Sequence, residues 1–258
     1  VELLDLRGGE NVLEIGCGWG ALALRLARAG TSVTGVTLSS EQLVFAGERT
    51  EHENLAGKIS LEMTDYRDVQ GSYDRIVSIE MLEAVGEAYW PVYFKTLYDR
   101  LNAGGIAVLQ VITINEARFE SYRRSPDFIQ RHIFPGGMLP TRKIIAGHAE
   151  AAGLKMAATQ SLGESYARTL AEWHKRFLAS WPRIEAMGFP ERFRRLWDYY
   201  LCYCEAGFRA GTIDVGFYVL RKAEANRHLS SPSRSDFWQS PAKARRRIFS
   251  FFPQSRSR

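Results

Sequence analysis

The sequence predicts an α/β protein: a mostly parallel, seven-stranded sheet with helices on both faces and a helical, aromatic lid inserted late in the chain. Three observations predict it. Short β-branched runs alternate with amphipathic stretches of helical period. A glycine-rich turn, "VLEIGCGWG", joins the first such run to the first helix. The 258 residues, 45% hydrophobic and 24% charged, have the composition of a globular domain.

"NVLEIG" reads as the first strand, and "WGALALRLARAG" as a helix that Gly30 ends. "TSVTGVTL" is the second strand. "SSEQLVFAGERTEHE" is the second helix, with Ser39 and Gln42 at capping-box spacing. "KISLEMTD" and "YDRIVSIEML" hold the third and fourth strands. "AYWPVYFKTLYDRL" is an amphipathic helix, and "IAVLQVITI", after "NAGG", is the fifth strand. The alternation breaks after Asn115. Residues 116–142 are aromatic and basic, with "FPGGMLP" as an irregular hinge. "TRKIIAGHAEAAGLKM" resumes a helix and a strand, residues 166–208 are helical and dense in Trp, Tyr, Phe and Arg, and "TIDVGFYVLRK" closes as a strand. Residues 1–225 read as one domain, with the lid formed by 116–142 and 166–208. Residues 226–258, rich in Ser, Arg and Pro, read as a disordered basic tail.

The net charge of +5 is unevenly placed. From Arg221 onward ten Lys/Arg face two Asp/Glu, which leaves 24 against 27 in residues 1–220. The folded body is therefore no nucleic-acid binder. Cys17, Cys202 and Cys204 are too few for a disulfide framework and point to a reducing, cytoplasmic setting. No run of about 18 apolar residues appears. The chain starts at Val1, almost on top of its first motif, and is expected to be a fragment.

Gly16, Gly18 and Gly20 permit positive φ and close approach of a ligand to a helix amino-terminus. Two features argue against a dinucleotide. The spacing is G-x-G-x-G rather than G-x-G-x-x-G, and Glu14 stands two residues before the first glycine, where S-adenosylmethionine enzymes often place an acid. Cys17, inside the loop, reads as structural. Thr37, Leu38 and Ser39 end the second strand, where Gln42 either bonds a ribose or caps its helix. "TDYRD" offers Asp65 and Tyr66 to an adenine, with Arg67 beside them, or is simply a polar strand-end loop.

At this point the residues carry a resemblance. "VLEIGCGWG", "VTLSSEQ", "DYRD", "SIEMLEAVG", "DFIQRHIFPGGMLPT", "SLGESYARTLAEWHKRF" and "RFRRLWDYYLCYCEAGFRAGTIDV" together resemble the cyclopropane fatty acid synthases, over roughly residues 2–222. The resemblance implies a Rossmann-like class I methyltransferase fold and an S-adenosylmethionine-dependent enzyme acting on the double bonds of lipid acyl chains. In that chemistry the alkene takes the methyl group, a carbocation forms, and a base removes a proton so that a ring closes in a dry pocket. The resemblance implies that this base is a bound bicarbonate. Glu83 matches the family's catalytic glutamate and Tyr166 its tyrosine contact to the anion. Gln110 stands where some members carry histidine, and Ile112 offers a backbone contact. Cys204 matches a cysteine once considered a nucleophile; the chemistry needs no covalent intermediate, so it reads as packing. Family members carry an upstream segment of the type Y-S-C-A-Y that contacts cofactor and anion, and the chain begins after it.

The partners implied are unsaturated phospholipid acyl chains, met by a cytoplasmic protein peripherally attached to the membrane; a homodimer is left open. Phe119, Tyr122, Phe128, Phe134, Met138, Trp173, Phe177 and Trp197 offer either an acyl tunnel or lid core. Arg123, Arg124 and Arg131 are candidates for lipid phosphates, and "KARRRIFSFFP" for an interfacial anchor. Methyl branching without a ring, an amine acceptor, and an inactive cofactor-binding remnant are the alternatives.

Overall fold

The computed structural model describes residues 1–224. The tail and its "KARRRIFSFFP" segment lie outside the described residues. Seven strands stand in the order β3-β2-β1-β4-β5-β7-β6. They are β1 (Asn11–Ile15), β2 (Ser32–Thr37), β3 (Ile59–Met63), β4 (Tyr73–Ile79), β5 (Leu101–Ile114), β6 (Leu154–Ser161) and β7 (Ile213–Lys222). The pairs β1–β2, β1–β4, β2–β3 and β4–β5 are parallel, whereas β7 runs antiparallel to both β5 and β6.

Alternation along the strands sorts side chains to the two faces of the sheet. Leu13, Ile15, Ile76, Ala107 and Leu109 join one core with Trp90, Phe94 and Leu97 of α3 (Trp90–Arg100) and Ile145 of α6 (Arg142–Ala151). Val12, Val33, Val77, Ile106 and Val108 join the other with Leu24 and Leu26 of α1 (Ala21–Arg28). A central strand buried on both faces explains why β1 reads as an unbroken apolar run.

Residues 116–142 are helical, as the lid reading expects: they hold α4 (Glu116–Arg124) and α5 (Phe128–His132), started by side-chain caps from Asn115 and Asp127 respectively. The long helical stretch is a hairpin of α7 (Gly163–Ala186) and α8 (Glu191–Arg209), broken at Gly188, where φ is 94°. "NAGG" lies inside β5 instead of preceding it. A further difference concerns α2 (Ser40–His52). Ser39 Oγ accepts from the Gln42 backbone N–H, but the Gln42 side chain bonds Thr37, so only half of a capping box forms.

Candidate active site

The strand order reverses between β1 and β4, and in open α/β sheets ligands bind at the carboxyl ends on either side of such a switch. The glycine loop follows β1 and the "EMLEAVG" turn follows β4, so chain order alone brings them together. Contact confirms it: a Cβ built on Gly16 meets Met81 Cγ at 3.5 Å.

All three loop glycines have left-handed φ: 79° at Gly16, 53° at Gly18 and 77° at Gly20. Their surroundings differ. Gly18 has no heavy atom within 4 Å of a built Cβ, whereas at Gly20 that atom would sit 2.9 Å from Ala46 Cβ on α2. Gly20 is thus required by packing, and Gly18 leaves open space. Arg49 Nη1 donates to the Trp19 carbonyl at 3.1 Å and ties the loop to α2. Cys17 is buried against Gly35, with its thiol pushed up to about 11, which makes it structural.

Glu14 is 3% exposed, and its Oε2 has no hydrogen-bond partner. Burial pushes its carboxyl up to about 8, opposed by the Ala23 backbone N–H. An orphaned buried carboxylate oxygen beneath a glycine loop is an acceptor in need of a donor. At the end of β2 the Thr37 hydroxyl donates to Gln42 Oε1 at 3.1 Å. Gln42 is therefore oriented by Thr37 and is not spent on capping its own helix. Leu38 is 72% exposed beside it. Asp65 accepts from the Arg67 backbone and guanidinium at 2.7–2.9 Å, which holds its carboxyl below the usual range. Tyr66 packs edge-on to Tyr93 at 5.6 Å. A hollow of about 440 Å³, lined by Trp19, Val44, Phe45 and Glu48, adjoins the loop.

The second half of the site stands across the switch. Glu83 Oε1 accepts from the Ile112 backbone N–H at 2.5 Å. Its Oε2 is buried without a partner, and burial pushes the carboxyl up to about 7. Gln110 Nε2 donates to Tyr166 Oη at 3.0 Å and to Glu80 Oε1 at 2.6 Å, and the Tyr166 hydroxyl also donates to Glu80. Four residues anticipated from the sequence, Glu83, Gln110, Ile112 and Tyr166, thus converge on one spot. Cys204 belongs to the packed α7–α8 cluster, and burial pushes its thiol up to about 12, far from a nucleophile.

Glu80 is the residue that sequence reasoning missed. It is not a glycine, yet its φ is 51°, a strained backbone of the kind found at functional sites. Its backbone N–H donates to the Gln110 carbonyl at 2.8 Å, and partial burial raises its carboxyl. An acid at the carboxyl end of the fourth strand was the available signal. Tyr166 owes its place to Asp214, whose Oδ1 accepts from Ser161, Gly163 and Val215 and so fixes the start of α7. A Cβ on Gly163 would lie 2.6 Å from that oxygen. The "FPGGMLP" segment backs the cluster: the Met138 N–H donates to the Glu83 carbonyl at 2.9 Å.

The lid side chains divide. Phe119 is buried in the sheet core, and Tyr122 and Met138 pack against it, which selects the core alternative for these three. Phe177 and Trp197 pack within the α7–α8 aromatic stack. Phe128 packs on Tyr199, with ring centroids 4.5 Å apart. Trp173 and Phe134 are 51% and 56% exposed. Arg123 and Arg124 are paired with Glu87 and Glu120.

The raised carboxyls have a measurable consequence. With Glu14 near 8 and Glu83 near 7 in the fold, against 4.5 ordinarily, the folded chain holds more protons than the unfolded one across that window. Stability present at low pH is therefore lost as pH rises through 7 and 8. The thermal midpoint of the ligand-free chain should fall by on the order of 5 °C between about pH 5.5 and pH 8.5. Glu14→Gln and Glu83→Gln should each flatten that slope in calorimetry. His148, whose pKa burial lowers, acts in the opposite sense, so the comparison is variant against wild type.

Comparisons with known proteins bear on the family and the fold. A family model described as mycolic acid cyclopropane synthetase matches residues 1–217. Tuberculostearic acid methyltransferase UfaA1 of Mycobacterium tuberculosis is 43% identical over 222 residues, covering 84% of this chain and 52% of the relative. Cyclopropane-fatty-acyl-phospholipid synthase of Escherichia coli K12 is 38% identical over 226 residues, covering 87% and 56%. The chain spans about half the length of these curated relatives. The crystal structure of mycolic acid cyclopropane synthase CmaA1 complexed with SAH and CTAB superimposes with a TM-score of 0.80 at 29% identity, covering 86% of this chain and 81% of that one.

Proposed function

This chain belongs to the mycolic acid cyclopropane synthetase family, and on that premise we propose that it is an S-adenosylmethionine-dependent methyltransferase acting on double bonds of unsaturated lipid acyl chains. One observation carries the reading: the orphaned Glu14 and open glycine loop flank one side of the strand-order switch and the Glu83–Gln110–Tyr166 cluster the other, with Gly16 and Met81 meeting between them; we read the space above as one crevice. The residues fit the cofactor. Glu14, Gly16, Gly18, Gly20, Thr37, Gln42 and the Asp65–Tyr66–Arg67 turn would hold it, and when bound it supplies the activated methyl group. The chain's own groups then exclude water and take a proton. Glu83, near neutrality at pH 7, is tuned to hold one. The reading assigns catalysis to residues 1–225, on the cytoplasmic face of a membrane as a peripheral protein. Among the described residues no helix is long and apolar enough to cross a bilayer.

Ring closure by a bicarbonate on Tyr166, Gln110 and Ile112 is what the family resemblance implies. In this chain those donors are engaged by Glu80 and Glu83, which must release them before an anion can use them. That favours a second reading, in which a glutamate itself is the base and the product is a methylene-branched chain. The alkene carbon bonds the methyl group, a hydride shifts from that carbon to the neighbouring cationic one, and the glutamate takes a proton from the new methyl, so that unsaturation moves into the branch and no reductant is needed. NMR of lipid products from unsaturated phospholipid vesicles separates the two. Cyclopropane protons and a rate that collapses without bicarbonate support the first; branched signals and indifference to bicarbonate support the second. Glu80→Gly suits the left-handed φ and frees both donors, so it should raise the ring fraction and the bicarbonate dependence. Double bonds left unaltered in every lipid tested, by a chain that binds cofactor, would refute both.

A further inference from the structure

We propose that His174, Asp198 and Cys202 form a binding site for a zinc-type divalent cation that clamps α7 to α8. Asp198 and Cys202 stand one turn apart on α8 and face His174 of α7. His174 Nε2 lies 2.5 Å from Asp198 Oδ1, and Cys202 Sγ lies 3.7 and 3.8 Å from the two ring nitrogens. The three donor atoms all lie within 4.8 Å of one another. The near-equal sulfur distances show that the thiol does not address one nitrogen lone pair, so this is not a nucleophile–base pair.

The set contains one imidazole, one carboxylate and one thiol, a mixture that suits a borderline-soft ion such as Zn²⁺ and disfavours Ca²⁺ or Mg²⁺. Tetrahedral arms of about 2.0–2.3 Å set donor separations of roughly 3.3–3.7 Å. Cys202 already stands at that spacing from His174, and Asp198 needs to withdraw by only about 1 Å. Three protein ligands leave a fourth position for water. Cys202 is exposed, so an ion has access. The site is separate from the crevice: His174 lies eight residues beyond Tyr166, roughly 12 Å along α7. An ion there would fix the hairpin that presents Tyr166 and Cys204.

Co²⁺ titrated into the metal-free 258-residue chain provides the test, because a cobalt–thiolate bond gives a near-ultraviolet charge-transfer band. One equivalent should produce the band in wild type and in Cys204→Ser, and none in Cys202→Ser or His174→Ala. A hundredfold excess of Zn²⁺ over its Kd should raise the thermal midpoint by roughly 5–10 °C in wild type and leave Cys202→Ser unmoved. Metal-free Cys202→Ser should melt with wild type, since the side chain is exposed. A missing band in wild type, a band that survives Cys202→Ser, or a band lost in Cys204→Ser overturns the proposal and leaves an ordinary His–Asp pair between helices.

Discussion

Glu83→Gln is expected to lower the rate of lipid methylation about 10²–10⁴-fold while leaving fold and cofactor affinity intact. The amide keeps an oxygen for the Ile112 N–H, so the turn after β4 retains its anchor. What disappears is a carboxylate poised near neutrality, able to hold a proton and to release it. The same substitution removes a buried charge at high pH, so the variant should melt above wild type at pH 8. A purely structural glutamate would give the reverse pattern: lowered stability and near-normal turnover. Tyr166→Phe makes a milder companion. It deletes the hydroxyl shared by Gln110 and Glu80 but preserves the ring that packs on Phe208 at 5.5 Å.

A second large effect is expected in the glycine loop, where two substitutions of the same size should fail for opposite reasons. Gly20→Ala places a methyl 2.9 Å from Ala46 Cβ and 3.4 Å from its Cα, in a left-handed backbone. Loop or helix α2 must move, at about 2–4 kcal/mol from overpacking and backbone strain together. The midpoint should fall by roughly 5–15 °C. Gly18→Ala meets no atom, so its stability cost is confined to the φ of 53°. Its methyl instead occupies the space a ligand must enter, and affinity for S-adenosylhomocysteine should weaken at least about tenfold. Calorimetric melting and ligand titration on both variants check the pair. If Gly18→Ala binds as wild type does, the open face of the loop is not where the cofactor rests.

These contrasts show what was legible in the sequence. The loop, Glu14 and the alternation of strands and helices are local features, set by residues within one turn of each other, and the fold follows their order. Glu83 and Tyr166 were legible because "SIEMLEAVG" and "SLGESYARTLAEWHKRF" carry them in the family resemblance, and Gln110 because a polar side chain stands inside an apolar strand. Glu80 stands in the same motif as Glu83 but was not singled out, because its meaning depends on partners 30 and 86 residues away in β5 and α7. Gln42 was ambiguous for a related reason: capping and ligand binding use the same spacing, and only the Thr37 hydroxyl shows which way its amide is turned. The His174–Asp198–Cys202 cluster spans two helices, so no spacing rule along the chain announces it. The lid aromatics were left undecided by the sequence, since a core and a tunnel wall draw on the same side chains.

The most direct measurement uses S-adenosylmethionine carrying a ¹³C methyl group, incubated with the chain and unsaturated phospholipid vesicles and followed by NMR of both protein and lipid. The account predicts shifts at the Gly18 and Ile112 amides on cofactor binding, then ¹³C appearing in the acyl chain, one carbon for each double bond modified, and transfer slowed about 10²–10⁴-fold in Glu83→Gln. Cofactor-induced shifts at Gly18 with Ile112 undisturbed and all label left in the cofactor would contradict it, because the two halves of the crevice would then not be one site.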